Sequence, residues 1–480
     1  MRRWLWIPLV VAGCGKTHGD PPPPLPEPEP GELDLDPPFR SGARLRAEVI
    51  ADAADTRAFS RWLDSELKLP CQFLRSSDGE QRCLPSTFWI SNYREPRVMF
   101  ADPQCTREIG HVSDGARFWV GYPLPGGDCE EPRFPVRNVG DLVPSDNGEY
   151  HIDPTTGACV ESPALANLLP GERHFLGDEV PPEQFERGER AVAGGAQRLR
   201  AVEIHGDDGS FERIGIRDSE LELDCQPQAG VCLPLEAAFV AMPYVDEACT
   251  EHVVNYDVPS AFRSADCLPP QLAYSADADA CGTRIHLHAL GERYLGALFT
   301  NATGQCGSYQ NASDEPRSFR LGPELEQSLE PLSNQWLGQD RLRVLAWLSP
   351  DGARLDVAQG ALVMDATVRD SCSAHELCDG TLVCEPSEAY PLFADARCSR
   401  AIYAPNTESC VEPPAAIPAF HAGSCWDGSF LELGTSVKLE TLYGDSLAEC
   451  RNVSLGVPDP LLLSTRPSGE RPLELTRRIE

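Results

Sequence analysis

Three observations in this 480-residue chain predict an all-β fold built from repeats. Short segments such as "RLRAEVI", "RLRVLAWL", "ARFWVGYP" and "RIHLHALG" mix polar and apolar residues with a period near two, as strands buried on one face do. Asp-Gly, Gly-Gly and Pro punctuate them at roughly 8–12-residue intervals, the spacing of turns in sandwiches and barrels. One unit recurs three times, and no stretch carries the period of a long amphipathic helix; "SPALANLLPGER" could supply at most a short turn.

The chain opens on a basic start, Met1-Arg2-Arg3, and an apolar stretch, Leu5–Val11, too short to span a bilayer. Gly15-Lys16-Thr17 looks like the end of a phosphate-binding loop, but such a loop needs a glycine where Val10 stands. Val11-Ala12-Gly13 lead instead into Cys14, and this block resembles the lipobox of bacterial lipoproteins. The resemblance implies that residues 1–13 are a signal peptide and that Cys14 receives diacylglycerol and becomes the mature N-terminus. Gly15 rather than Asp after the cysteine implies, by the same resemblance, an outer-membrane address in the cell envelope. Stable anchoring takes more than one acyl chain. Residues 14–40 then read as the lipidated cysteine and a tether. "THGDPPPPLPEPEPGELDLDPP" is rich in Pro and acid, a semi-rigid spacer of about 3.1 Å per residue.

A formal charge of −33, two units more negative once Arg2 and Arg3 leave with the leader, repels nucleic acid and anionic lipid. Nucleic acid is thereby excluded as a partner, and the membrane is met through the anchor. Only three lysines (Lys16, Lys68, Lys438) stand against 38 arginines, a bias of a GC-rich genome rather than a binding device. At 41% hydrophobic residues the chain is too apolar for disorder. Nineteen cysteines leave an even 18 without Cys14, and disulfides are the expected state in an oxidising compartment. No Cys-x-x-Cys occurs, which argues against zinc ribbons and thioredoxin-like chemistry.

Repeat units span 41–196, 197–339 and 340–480. "RLRAEVIAD", "RLRAVEIHG" and "RLRVLAWLS" begin at Arg44, Arg198 and Arg341. Aligning Asp64-Ser65, Asp218-Ser219 and Asp370-Ser371 predicts the hairpin disulfides Cys71–Cys83, Cys225–Cys232 and Cys378–Cys384. Late cysteines at similar separation predict Cys129–Cys159, Cys281–Cys306 and Cys425–Cys450, with Cys249–Cys267 and Cys398–Cys410 added in units two and three. Cys105 and Cys372 remain, either an inter-unit bond or two free thiols, the second being preferred. Connectivity stays open, because six cysteines alone allow fifteen arrangements. Two architectures fit: a six-bladed propeller with two four-stranded blades per unit, or three β-sandwich-like domains in tandem. A propeller would need "RPLELTRRIE", Arg471–Glu480, to pair beside Arg44–Val49 and close the ring. The repeat, with its aromatic-x-Asp-x-x-Cys step ("FADPQC", "YVDEAC", "FADARC"), resembles the cysteine-rich repeats of secreted and lipid-anchored proteins common in myxobacteria. That resemblance implies an extracellular all-β unit and carries no activity.

Candidate chemistry is thin. "YGDSLAEC" contains the Gly-Asp-Ser-Leu of a hydrolase family, but Ser446 lies near the end, with no histidine after it and in a β context. "HELC" at His375–Cys378 lacks the second histidine of a metalloprotease helix. "ADADAC" and "HGDDGS" place carboxylates together without the closing Glu of a calcium loop, so weak calcium binding is the only cofactor they suggest. His286 and His288 share a strand face but lack an acid or Cys at ligand spacing. Asn301, Asn311 and Asn452 head glycosylation sequons by pattern only. The reading is a non-enzymatic, lipid-anchored surface protein whose repeat scaffold presents loops to a protein or glycan, with no catalytic and no metal residues. Its alternatives are an extracellular hydrolase using Ser446 and a calcium-dependent structural or adhesive protein.

Overall fold

A computed structural model describes residues 37–480 apart from 87–97, 113–114, 122–132, 145–146, 154–155, 163–171, 196, 236, 241–243, 257–270, 280–281, 302–305, 310–316, 326–327, 339, 351–353, 356–357, 359–362, 369, 378, 387–391, 394–400, 404–415, 419–429, 438–441, 447–448, 454–460 and 468–470. The segments expected to be a signal peptide and a tether lie outside the described residues up to residue 36, Cys14 among them. The fold is all-β. Strands run through the whole described chain, and the one helical element among the described residues is a single 3-10 turn at Pro182–Gln184. No described helix is long and apolar enough to cross a membrane.

The first half of each unit is a five-stranded antiparallel sheet. In unit two it runs Arg187–Val192, Leu199–Gly206, Phe211–Asp218, Leu223–Gln228 and Val231–Pro234. In unit three it runs Ser333–Leu337, Leu342–Leu348, Val363–Asp365, Asp370–Glu376 and Leu382–Pro386. Unit one has Leu45–Ala51, Arg57–Asp64, Leu69–Arg75 and Gln81–Pro85, and its fifth strand, Thr476–Ile479, comes from the other end of the chain. That strand faces Leu45–Ala51 in the register Glu48–Ile479, Val49–Arg478, Ile50–Arg477 and Ala51–Thr476, the pairing expected of the closing segment.

Among the described residues no closed six-bladed propeller is found, because the two halves of a unit build different things, and the sandwich-like alternative is compatible with these sheets. The second halves make their own sheets, seven-stranded in units one and three and five-stranded in unit two, the last with the separate hairpin Leu298–Thr300 and Gly307–Tyr309. The first halves join edge to edge instead. The amides of Cys83, Cys232 and Cys384 donate to the carbonyls of Glu186, Glu330 and Leu473, each residue leading into the next sheet's first strand. Bridges Arg82–Arg187, Val231–Pro331 and Val383–Glu474 follow. The three sheets thus form one circuit of main-chain hydrogen bonds that leaves no outer edge between units. Strand pairing crosses the boundaries 196/197 and 339/340, since Arg187–Val192 and Ser333–Leu337 pair with the strands that follow.

The cores are shared in the same way. Ile50 and Ala58 of unit one pack with Leu342, Val363, Cys372 and Cys384 of unit three and with Leu473 and Leu475. Leu199, Ile216, Cys225 and Cys232 of unit two pack with Leu332 and Leu355. At the meeting of units one and two, buried Trp62 donates its indole N–H to the buried Glu212 carboxylate at 2.5 Å.

One polar device repeats in all three units. Arg44, Arg198 and Arg341 pair with Asp64, Asp218 and Asp365, whose carboxylates are buried. Each guanidinium also donates to the carbonyl of its own unit's exit segment: Arg44 to Gln184 (2.6 Å), Arg198 to Ser328 (3.0 Å) and Arg341 to Arg471 (3.0 Å). The same carboxylate caps the following turn, accepting the amides of Glu66 and Leu67, of Glu220 and Leu221, and of Thr367. The arginine therefore ties a unit's entrance, its first hairpin and its exit. Removing the buried aspartate takes away the arginine's main partner and the turn's cap together, and losing one partner of a buried pair typically costs several kcal/mol. Asp218→Ala is expected to lower stability by about 3 kcal/mol, whereas Glu220→Ala, at an exposed carboxylate on the same arginine, should change it by less than about 0.5 kcal/mol. Urea unfolding checks both, and equal effects would deny the clasp its role.

Candidate functional site

The cysteines show which expectations hold. Cys71–Cys83 and Cys225–Cys232 are bonded as the repeat alignment predicts. In unit three the bond is Cys372–Cys384 rather than Cys378–Cys384, and Cys372 is therefore no leftover thiol. The physical reason is the clasp. Asp365 pairs with the unit's arginine, and the bonded cysteine lies seven residues beyond that aspartate in every unit (Cys71, Cys225, Cys372). It sits directly across the ladder from a buried apolar residue, Trp62, Ile216 or Val363. Asp370-Ser371 is a decoy, and the position after the true aspartate is Ala366.

The late pairs are also corrected. Cys105 bonds Cys159, replacing Cys129–Cys159, and Cys249 bonds Cys306, replacing Cys249–Cys267 and Cys281–Cys306. Cys14, Cys129, Cys267, Cys281, Cys378, Cys398, Cys410 and Cys425 lie outside the described residues, as does the side chain of Cys450. Ser446 stands on a β-hairpin opposite Glu449, not at a strand-to-helix turn.

What brings Cys105 and Cys249 to their partners is a turn built by an aspartate three residues earlier. The Asp102 carboxylate accepts the amides of Gln104 (3.0 Å), Thr106 (3.2 Å) and Arg107 (2.7 Å) and the Thr106 hydroxyl (3.1 Å). In unit two Asp246 accepts the amides of Thr250 (2.9 Å) and Glu251 (2.8 Å) and the Thr250 hydroxyl (2.7 Å). Cys105 and Cys249 take left-handed backbone, φ 51° and 53°, which an ordinary side chain rarely adopts. The Sγ atoms of Cys159 and Cys306 each lie 3.8 Å from the carbonyl oxygen of the turn's aspartate. Bonds closing loops of 54 and 57 residues restrict the unfolded chain more than the 7- and 12-residue hairpin bonds do, roughly 4 against 3 kcal/mol in the chain-entropy model. The result is two equivalent rigid turns, Asp102–Arg107 and Asp246–Glu251, with Gln104, Thr106, Glu247 and Thr250 exposed.

Other expected residues have structural partners. In "HGDDGS" the Asp208 carboxylate accepts the amides of Arg44 (2.8 Å), Leu45 (2.6 Å) and Ser210 (2.9 Å), so a unit-two loop caps the first strand of unit one. Asp52 of unit one does the same for Leu342 of unit three at 3.2 Å. The Asp208 amide in turn binds Glu186. Burial and the neighbouring Asp208 charge push the Glu186 carboxyl above its ordinary range. His286 does meet acids, from neighbouring strands rather than its own: Glu324 lies 2.8 Å from Nδ1 and Asp277 3.3 Å from Nε2, while His288 Nε2 is 3.0 Å from the Ser275 hydroxyl. His375 of "HELC" pairs with Glu385 at 2.9 Å. Among the described residues, no three His, Cys, Asp or Glu side chains converge as metal ligands.

One buried titratable group was missed by sequence reasoning. In the second half of unit one, Glu149 lies 3.5 Å from both His111 and Arg173, all three largely buried. Burial opposes ionisation of Glu149, but the neighbouring His111 and the charged Arg173 outweigh it and hold the carboxyl below its ordinary range. The three residues lie far apart in sequence and carry no motif; the ladder pairing of His111 with Arg173 sets those two side by side. The group reads as polar core, since none of these contacts brings a nucleophile to it.

Two measurements follow from the turns. Non-reducing peptide mapping should recover Cys105 with Cys159 and Cys249 with Cys306; fragments joining Cys129 to Cys159 would contradict the geometry. Asp246 is held at about 2, below the ordinary 3.8, first by the Glu251 amide and then by the Thr250 hydroxyl. A depressed folded value gives stability that is present above the unfolded value and lost as pH falls from 3.8 towards 2. Asp246→Asn should therefore flatten the stability profile across that window and leave its slope at neutral pH unchanged.

Comparison with known proteins finds no matching curated protein and no matching solved structure. A family model does match, over residues 34–284, which take in unit one, the first sheet of unit two and the opening strands of its second half. Just over half of the chain is covered, and the chain belongs to that family, a family of unknown function (DUF7481).

Proposed function

We propose that this chain is a non-enzymatic, lipid-anchored protein of the bacterial cell envelope, held at the outer membrane through Cys14, whose repeat scaffold binds a protein or glycan. The observation that carries the reading is the pair of equivalent, disulfide-held turns, Asp102–Arg107 and Asp246–Glu251. Turns already fixed in one conformation lose little entropy on binding, the condition under which small exposed surfaces achieve affinity. The five disulfides of the described residues suit an oxidising compartment, which is where a lipobox-like leader delivers a chain. The partner is neither nucleic acid nor an anionic bilayer face, given the formal charge of −33.

The anchor is tested with Cys14→Ser, which should move the protein from the membrane to the soluble extracytoplasmic fraction; retention on membranes after a salt wash would refute the lipobox. The binding surface is tested with Gln104→Arg and Glu247→Arg together, on exposed turn positions whose side chains hold no turn hydrogen bond. Envelope components retained by the immobilised chain should be lost from this variant. Undiminished retention would place the binding elsewhere.

A further inference from the structure

The first sheet is completed differently from its two counterparts. Arg187–Val192 and Ser333–Leu337 reach the strands they pair with through short connections, to Leu199–Gly206 and Leu342–Leu348. The strand Thr476–Ile479 pairs with Leu45–Ala51, and the hydrogen bond from the Thr476 hydroxyl to the Ala51 carbonyl spans 425 residues of sequence. No short connection obliges that strand to come from the same molecule.

The acceptor is nevertheless specific. Leu473 and Leu475 enter the core formed by Ile50, Ala58, Leu342 and Val363. The Leu475 amide donates to the Leu382 carbonyl, and the Glu480 amide to Ala47. Charge fixes the register further: Arg478 pairs with Asp55, Arg57 with Glu480 at 2.7 Å, and Arg477 lies 3.9 Å from Glu48. The edge therefore accepts an extended segment with alternate apolar residues followed by two arginines, and residues 471–480 have that sequence.

We infer that this edge is an interaction surface for a second copy of the chain: two copies exchange the segment Arg471–Glu480, each completing the other's first sheet. Exchange remakes the same contacts, so its balance is set by concentration rather than by new interactions. Copies anchored on one membrane would meet at raised local concentration; that consequence rests on the lipid-anchor reading, while the exchange itself does not.

The test uses the anchor-free full-length chain, Cys14→Ser, carrying either of two affinity tags. Mixed at increasing concentration, unfolded in urea with the disulfides intact and refolded together, the two forms should co-purify through one tag. The mixed fraction should grow roughly in proportion to concentration while this stays below the effective concentration of the closed monomer, on the order of millimolar. A second variant identifies the contact: Val49→Cys with Arg478→Cys, facing positions in the register, should give covalent dimers in the mixed fraction. Absence of mixed species at every concentration would overturn the inference. So would mixed species in which this crosslink always lies within one copy.

Discussion

Everything in this fold depends on holding the two ends of each repeat together. An arginine at the entrance, a buried aspartate at the end of the first hairpin and a carbonyl on the exit segment do this in all three units. The arginine suits the task because its planar fork serves a carboxylate and a carbonyl at once, which a lysine could not do with the same geometry. Once entrance and exit are clasped, the exit segment lies where its carbonyl meets the previous hairpin's last strand and its next residues start the following sheet. The circuit of three sheets is a consequence of the clasp repeated.

The circuit explains why the two halves of a unit diverge. First halves pack on each other across unit boundaries, so their disulfides sit in shared cores, with Cys71, Cys83, Cys225, Cys232 and Cys384 almost fully buried. Second halves carry their own staples, Cys105–Cys159 and Cys249–Cys306, beside exposed turns. The short hairpin bonds thus serve packing between units, while the long-range bonds fix turns that stay exposed.

Much of this was legible in the residues, and the failures have physical causes. Two-residue alternation and the three Arg-Leu-Arg starts identified the strands and the units, because half-buried antiparallel strands must show their inner face in sequence. The closing segment was legible for the same reason, with Leu473 and Leu475 alternating with polar residues. The register of unit three was not. Its anchor is defined by an arginine partner, and Asp365 is followed by Ala366 while Asp370-Ser371 imitates the motif five residues later. Similar separations made Cys129–Cys159 and Cys281–Cys306 look like a repeat, but the left-handed turns at Cys105 and Cys249 decide the pairing, and a backbone angle leaves no periodic trace. The capping of one unit's strand by another unit's Asp208 or Asp52 was equally silent, since an aspartate in a loop reads as solvated until its amide donors arrive from elsewhere in the chain.

The central claim, that three repeats make one cooperative body rather than three separable ones, is tested most directly by native-state hydrogen exchange at the inter-sheet amides. Those of Cys83, Cys232 and Cys384 each donate across a junction, to Glu186, Glu330 and Leu473. One body predicts that all three exchange only through global unfolding, with equal protection and the same denaturant dependence. Protection that differs between them by several kcal/mol, with Cys384 opening while Cys83 stays closed, would contradict it.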